Sequence, residues 1–507
     1  MPDSQDHSWP ASVHAAVARA NGSAQVTGPW HNPPLRVPPV EPPPPRPTLD
    51  YQVVRQLQRR VSDALAPVYA REQLDEAHQQ LEAERATSRV VAAYVDQQRR
   101  DGIPLTDLDE GNLIDAVLAE LAGLGRLYLL LADPTVENIT IKGHAGVRVE
   151  RTDGRVEFLG AIADDDTDLI RKFQALARRS GSPEKAFGDS WPMMSLQLAK
   201  GQRLAAVYNI TPQPVGVIRL PGTIGVTLDQ LVDYDRIDPN NSAMIDPLLR
   251  DFLRAAMAAH LNIMVAGVGG SGKTTIVRAL IDEIPRDEWF VLMEEVPELV
   301  PDSEGQHPWV VEMQARDGFG EKTPDGRRIG QITLSDLIPV SLQLNAQRIV
   351  VGEVRGREVG AMLQAMSTSN GSLSTVHARD PSIVFDRIAE LAGEGKENGS
   401  ERHTYLQVAN ALDLIVFVRI INESNLGGRK HRFVSHVVEI DHIGDNGRPR
   451  TTTIFGPGPD GRAVPQNQPD RLLDALRLTG YDPSVLAHHQ DRGLWARPLD
   501  RKIWGRR

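Results

Sequence analysis

Leu261-Asn262-Ile263-Met264-Val265-Ala266-Gly267-Val268-Gly269-Gly270-Ser271-Gly272-Lys273-Thr274-Thr275-Ile276-Val277 is the stretch on which the reading of this chain turns. Residues 267–274 fit G-x-x-x-x-G-K-[ST] at every fixed position. The apolar run before them reads as a buried strand, and Thr275–Ile281 after them as a helix. Glycines let a backbone turn tightly enough to aim N–H groups at phosphate oxygens. The helix N-terminus adds partial positive charge. The motif predicts a nucleotide cradle formed by Gly267, Val268, Gly269, Gly270, Ser271, Gly272, Lys273, Thr274 and Thr275. Lys273 would reach the β- and γ-phosphates, and the Thr274 hydroxyl would bind Mg²⁺. ATP and Mg²⁺ are the expected ligands.

The bulk composition narrows the setting. At 507 residues the chain is too long for one core, and about three domains are expected. It has no cysteine, so disulfides and thiolate metal sites are excluded. Its formal charge is −11, which argues against a broad nucleic-acid surface, and no direct nucleic-acid binding is expected. No apolar run reaches the ~18–20 residues of a membrane span. Met1–Ala20 has no apolar stretch of the signal-peptide kind. A cytoplasmic location is expected, with the membrane reached through a partner.

The pattern changes several times along the chain. Residues 1–48 are dominated by Pro33-Pro34, Pro38-Pro39 and Pro42-Pro43-Pro44-Pro45, the composition of a solvated, polyproline-type arm. Residues 49–105 read as helical, with Val54, Leu57, Val61, Leu65 and Val68 at three- and four-residue spacing. Pro67 is expected to break that run, and two further helices are expected before Arg100. A helix over Asp107–Gly123 opens an α+β domain at 106–222. There Ile139, Ile141, Val147, Val149, Val156 and Phe158 alternate with polar residues as an antiparallel meander, and a helix over Asp168–Arg179 covers it. Residues 223–239 read as a linker. From 240 to 445 helix and strand alternate, as a doubly wound α/β sheet requires. Residues 446–507 read as a polar extension.

Three further blocks carry candidate chemistry. Arg348–Val351 is an apolar strand that runs into Gly352-Glu353. Ligands of parallel sheets sit beyond the strands' carboxyl ends, so Glu353 would face the γ-phosphate and orient or deprotonate water, directly or through Mg²⁺-bound water. Glu294-Glu295-Val296-Pro297-Glu298 follows the strand Trp289–Met293, and its carboxylates could hold Mg²⁺ through water. An ordinary acidic loop is the alternative. His377 ends the strand Ser372–Val376 and could sense the γ-phosphate, or simply cap the strand. No ligand-spaced partner accompanies His377, so no all-protein metal site is expected.

These four blocks, in this order, resemble the secretion-type traffic ATPases: the type II and type IV secretion, pilus-assembly and conjugation ATPases. The subfamily they most resemble is that of the Flp or tight-adherence pilus assembly ATPases. Their hallmarks are a Walker A loop (here 267–274), an acidic "Asp box" (293–299), a Walker B strand ending in Gly-Glu (349–356) and a His box (371–378). Asp133–Ile141, Gly201–Val207 and Ile218-Arg219 resemble blocks of the family's N-domain. The resemblance covers about residues 106–445. It implies a RecA-like ATPase domain behind an α+β N-domain and a helical segment. It implies a homohexameric ATP-driven motor for pilus assembly or protein secretion, seated on a polytopic inner-membrane platform protein. It also implies catalytic roles for Glu353, Glu294, Glu295 and His377, with Arg203 and Arg219 as the N-domain arginines near the phosphates. Mg²⁺ would be held by Thr274 and, through water, by Glu295 and Glu353. The linker would act as the hinge.

The chain also departs from the family pattern. Glu294-Glu295 stands where Glu-Asp is usual. Leu342-Gln343-Leu344-Asn345-Ala346-Gln347-Arg348 lacks an Arg, a Pro and an Asp of the usual approach to Walker B. Thr368-Ser369-Asn370-Gly371-Ser372 is one residue short and lacks the first His. These losses leave open a regulatory subunit that binds ATP and hydrolyses it poorly. A RecA-like nucleic-acid motor is the remaining alternative.

Overall fold

The computed structural model describes residues 50–502, apart from 72–75, 122–124, 132, 134, 180–186, 190–191, 199–201, 221–224, 233–242, 302–304, 317, 325, 394–400 and 491. The proline-rich arm 1–48 and residues 223–224 and 233–239 of the expected linker lie outside the described residues. The described part of that linker is not an open connection, because it forms a short helix, Leu228–Val232, whose Leu228 and Leu231 are buried in the ATPase-domain core.

The chain begins with three packed helices, α1 (Tyr51–Arg71), α2 (Glu76–Arg100) and α3 (Asp107–Leu121). Val54, Leu57, Val61 and Leu65 of α1 pack with Val91 and Val95 of α2 and with Leu113 and Val117 of α3. Two expectations are corrected here. Pro67 lies inside α1 without ending it. A helical proline forfeits a bond to the carbonyl four residues back. That carbonyl belongs to Asp63, on the exposed face, where water can satisfy it. Residues 76–100 form one helix rather than two.

A short helix, α4 (Arg126–Leu131), leads into a six-stranded antiparallel sheet. Its strands are β1 (Val136–Lys142), β2 (Gly146–Arg151), β3 (Val156–Leu159), β4 (Met193–Gln197), β5 (Arg203–Val207) and β6 (Val215–Arg219), in the order β3-β2-β1-β6-β5-β4. Between β3 and β4, helix α5 (Asp166–Arg179) covers one face through Leu169, Phe173 and Leu176. A Cβ on Gly216 would meet the Phe173 ring at 2.4 Å, so helix and sheet touch in closest contact there. Alternation leaves Arg203 and Arg219 on the other face. They are direct cross-strand neighbours, which sets two cations side by side.

A nine-stranded sheet follows, in the order β17-β16-β15-β14-β7-β13-β12-β8-β9. Its parallel strands are β7 (Ile263–Gly267), β8 (Phe290–Glu294), β9 (Val310–Gln314), β12 (Arg348–Val354), β13 (Leu373–His377) and β14 (Leu414–Asn422). A small hairpin, β10 (Phe319–Lys322) with β11 (Arg328–Ile329), stands apart from it. Helices lie on both faces, as buried parallel strands require. The register places His377 of β13 opposite Gly267, at the start of the phosphate loop. Arg348, at the start of β12, is fully buried. It donates to Glu288 Oε1 at 2.6 Å and to the Met257 carbonyl at 3.0 Å. A buried charge without such partners would be strongly destabilising. Arg348 therefore ties β12 to the end of the helix that precedes β7, Pro247–Ala258.

The expected boundary at 446 cuts through the structure. Beyond β15 (Lys430–Ile443) the chain continues into β16 (Pro449–Pro457) and β17 (Ala463–Pro465), which extend the same sheet. Ile454, Phe455, Leu472, Leu476 and Leu486 belong to the ATPase-domain core. Phe455 meets Phe252 edge to face at 5.4 Å. Among the described residues, no helix is long and apolar enough to cross a membrane.

Phe455→Ala should therefore cost about 3–5 kcal/mol, the usual range for an emptied aromatic core site. A urea melt of the full chain checks this. A cost below about 1 kcal/mol would mean that the last sixty residues are only loosely attached.

Candidate nucleotide site at the carboxyl edge of the sheet

The phosphate loop runs from the end of β7 into the helix Lys273–Asp282. Gly272 precedes that helix with φ +101°, and a Cβ there would stand 2.8 Å from Met244 Cε. Both backbone and space demand glycine at this position. The Lys273 ammonium is buried and donates to the carbonyls of Gly267 and Val268, 3.2 Å from each. His377 Nδ1 also lies 3.2 Å from Lys273 Nζ. Burial lowers the Lys273 pKa to about 8, helped by the nearby Arg219 and Arg355 and opposed by Glu353 and Glu298. Ser271 Oγ, in the middle of the loop, is buried and makes no hydrogen bond. It is a donor with nothing to bond within the protein, as a phosphate-binding hydroxyl would be.

His377 connects the loop to Walker B. Its Nε2 lies 2.5 Å from Glu353 Oε1. Arg355 donates to the other Glu353 oxygen at 2.7 Å. Burial pushes the Glu353 carboxyl up, but His377 and Arg355 outweigh it and hold it down at about 2. Lys273, His377 and Glu353 thus form one continuous line, with Nδ1 facing the ammonium and Nε2 facing the carboxylate. His377 lies between the loop lysine and the Walker B glutamate, which is more than a strand cap would require.

The acidic box departs from the sequence-based expectation. Glu294 ends β8 with its carboxylate buried, accepting the Glu298 N–H at 3.0 Å and the Leu299 N–H at 3.3 Å. It staples the loop that follows the strand. A Cβ on Gly352 would lie 2.8 Å from Glu294 Cγ, so the Walker B glycine makes room for this staple. Glu294 is therefore committed to the backbone of its own loop, and burial at this position leaves Glu298 as the acidic-box carboxylate that faces Thr274. Burial raises the Glu294 pKa to about 7 against those two N–H bonds. Glu295 is half exposed, with Arg355 3.9 Å from its carboxylate.

Glu298 was grouped with the acidic box but given no role of its own, and it is the carboxylate of that box that stands beside Thr274. Its Oε2 accepts from Thr274 Oγ1 at 3.4 Å, and its Oε1 lies 3.3 Å from Arg203 Nη1. Arg278 donates to its carbonyl. The Glu294 staple folds the loop back and delivers Glu298 to the site. Arg203 therefore reaches the ATPase domain, as expected of an N-domain arginine. Arg219 stands beside it across the strand pair. The Thr274 hydroxyl and the Glu298 and Glu353 carboxylates are hard oxygen donors that fit Mg²⁺, which takes one or two protein oxygens and fills its shell with phosphates and water. Among the described residues, no cluster of three acidic or His side chains suited to a metal occurs.

Comparison with known proteins places the chain in a family. Residues 217–456 match the family model described as type II/IV secretion system protein. A Mycobacterium tuberculosis protein provisionally assigned to conjugal transfer is 34% identical over 304 residues, spanning 59% of this chain and 81% of its own. This chain belongs to the type II/IV secretion ATPase family. The type IV secretion system protein VirB11 of Brucella suis is 27% identical over 331 residues, spanning 59% of this chain and 85% of its own. Among solved structures, the Legionella pneumophila ATPase DotB is 16% identical, with a TM-score of 0.42 over 64% of this chain and 81% of its own. The family's RecA-like ATPase domain corresponds here to the nine-stranded sheet and its helices.

The staple has a pH signature. Folding raises the Glu294 pKa from its ordinary 4.5 to about 7, so the folded protein favours the protonated carboxyl. Its stabilising contribution is complete below about pH 4.5, falls as pH rises, and is lost above about 7. Glu294→Gln stays neutral throughout and still offers an acceptor oxygen to the Glu298 N–H. Its melting temperature should gain on the parent's between pH 5 and 7.5. Turnover should fall less than about tenfold, against the ~100-fold or more expected when a general base is removed. A melting difference independent of pH, or a loss of turnover as large as that of Glu353→Gln, would contradict the staple.

Proposed function

We propose that this traffic ATPase is a motor that hydrolyses ATP between its N-domain and its RecA-like domain to drive pilus assembly or protein secretion. The observation that carries the reading is the convergence of five separate segments, four at one edge of the nine-stranded sheet and one from the N-domain. Lys273, His377 and Glu353 stand in line, and Thr274, Glu298 and Arg203 form a second line beside them. Chance packing of unrelated loops gives no reason for this arrangement.

The residues divide the work as follows. Lys273 exchanges the carbonyls of Gly267 and Val268 for phosphate oxygens. Thr274 would hold Mg²⁺, with Glu298 through water, and the ion would spread the negative charge on the phosphates. Glu353 orients the attacking water. Its low pKa makes it a weak base while His377 and Arg355 hold it, so loosening that pairing is what would activate it. His377 lies between Lys273 and Glu353 and so registers movement of the lysine. Arg203 and Arg219 supply positive charge from the N-domain, which is worth most where negative charge develops in the transition state.

Assembly as a homohexamer, a seat at the cytoplasmic face of the membrane and a polytopic inner-membrane platform partner belong to the same proposal. Similarity to VirB11 and to a protein provisionally assigned to conjugal transfer supports a secretion or transfer machine. The motif departures do not disperse the site, which favours hydrolysis over a purely regulatory role.

The test is a pair of variants in the full chain. Lys273→Ala should weaken ATP binding at least tenfold in calorimetric titration and abolish turnover. Glu353→Gln should retain ATP and lose about 100-fold or more in turnover. Unchanged affinity in the first or near-parent turnover in the second would overturn the site assignment.

A further inference from the structure

Arg432 belongs to none of the recognised motifs, yet it touches both halves of the site. It projects from β15 and is almost completely buried. Its Nε donates to the Gly270 carbonyl of the phosphate loop at 2.8 Å. Its Nη2 donates to Glu137 Oε1 on β1 of the N-domain, also at 2.8 Å. Its Nη1 lies 3.5 Å from the Thr152 carbonyl, in the turn after β2. Two residues away on the same strand face, Lys430 Nζ donates to Glu137 Oε2 at 2.9 Å and to Glu150 Oε1 at 2.6 Å. The two N-domain carboxylates thus meet two cations of the ATPase domain. Only Arg432 passes the connection on to the loop.

We propose that Arg432 is a positioning residue, held against the Gly270 carbonyl by Glu137, so that docking of the N-domain sets the phosphate loop for nucleotide. This inference rests on the nucleotide-binding reading of that loop. The physical link is the planarity of one peptide unit. Gly270 C=O and Ser271 N–H share it and point in opposite directions. The Ser271 N–H makes a long 3.3 Å bond to the Val268 carbonyl, so it is weakly committed within the loop. A guanidinium fixed on the carbonyl side fixes where that N–H is aimed. Gly270 has φ +74°, and its flexible backbone does little to hold the peptide by itself. Arg432 can bridge because a guanidinium presents donors in a rigid fork, which an ammonium cannot copy.

On the opposite side of the site, the N-domain touches the acidic-box loop. Gln197 Nε2 donates to the Pro297 carbonyl at 2.5 Å, and Arg203 faces Glu298. The N-domain therefore braces both loops that would hold the phosphates and Mg²⁺. The Arg432 brace differs in kind, because it acts on the backbone of the cradle and needs no contact with the ligand. Loss of the brace should appear in nucleotide affinity first.

The experiment compares Arg432→Ala, Arg432→Lys, Glu137→Gln and the double variant Arg432→Ala/Glu137→Gln in the full chain. Lys430→Met and Lys273→Ala serve as controls. The readouts are ATP KM, kcat, ADP affinity by calorimetry and melting temperature. Arg432→Ala should raise ATP KM and the ADP Kd about tenfold, the loss of one charged hydrogen bond. kcat should change less than KM. Arg432→Lys should not restore affinity. Glu137→Gln should shift affinity in the same direction, and the double variant should be no worse than Arg432→Ala alone, because the two residues act in series. Lys430→Met leaves the Arg432–Gly270 contact in place but takes a buried partner from Glu137, so it should lower the melting temperature while raising KM less than Arg432→Ala does. A lower melting temperature with unchanged KM and ADP affinity in Arg432→Ala would make the residue purely structural and overturn the proposal. Simple additivity of the Arg432 and Glu137 effects would overturn it as well. Normal ATP binding by Lys273→Ala would instead overturn the nucleotide-site reading beneath it.

Discussion

Lys273 is a buried cation, and the rest of the site is arranged around that fact. The loop that carries it meets it with the Gly267 and Val268 carbonyls, and burial already lowers its pKa to about 8. The nearest side-chain acceptor is His377, delivered by the register of β13 against β7. His377 in turn faces Glu353, delivered by β12 on its other side. Three adjacent parallel strands thus bring a cation, an imidazole and a carboxylate to one edge. Parallel pairing makes this possible because all three carboxyl ends point the same way. Any ligand that draws Lys273 away from its carbonyls disturbs the whole line, and a triphosphate is the ligand that the loop is shaped to accept.

The N-domain completes the site from outside the sheet. It brings Arg203 to Glu298 and Glu137 to Arg432, so both phosphate-facing loops are tied to it by charge. These pairs are partly buried, where charge-assisted bonds are stronger than on an open surface. They remain polar contacts, which break and reform more readily than an apolar core. Under the proposed function, a joint of this kind would let the two domains shift against each other during the ATP cycle. Arg203 and Arg219 sit side by side despite their mutual repulsion. Glu298 offsets part of that repulsion, and the phosphates would offset more.

Much of this was legible in the sequence, because the relevant signals are local. The phosphate loop, the Walker B strand and the strand ending in His377 each combine an apolar run with a polar residue at its carboxyl end. What escaped detection depended on tertiary folding. Glu294 and Glu295 follow their strand as expected, but the Glu294 side chain turns inward to cap the loop, and Glu298 arrives four residues later. Nothing in a run of three glutamates says which one is buried. Arg432 escaped for the same reason, since its partners are 162 and 295 residues away in sequence. The polar look of residues 446–507 was also misleading. The strand β16 is rich in threonine, and the core residues beyond it are scattered singly, so no periodicity announces them. Pro67 failed as a helix stop because its cost falls on the exposed face.

The central claim is that Lys273 leaves His377 when the loop takes up phosphates, and that the acidic-box residue beside Thr274 is Glu298. A crystal structure of the full chain with Mg²⁺ and a non-hydrolysable ATP analogue measures both at once. The account predicts Lys273 Nζ on the β- and γ-phosphate oxygens, no longer on His377 Nδ1. It also predicts Glu298 facing the ion beside Thr274, with Glu294 still bonded to the backbone of residues 298 and 299. A triphosphate bound with Lys273 still on His377, or an ion coordinated through Glu294, would contradict it.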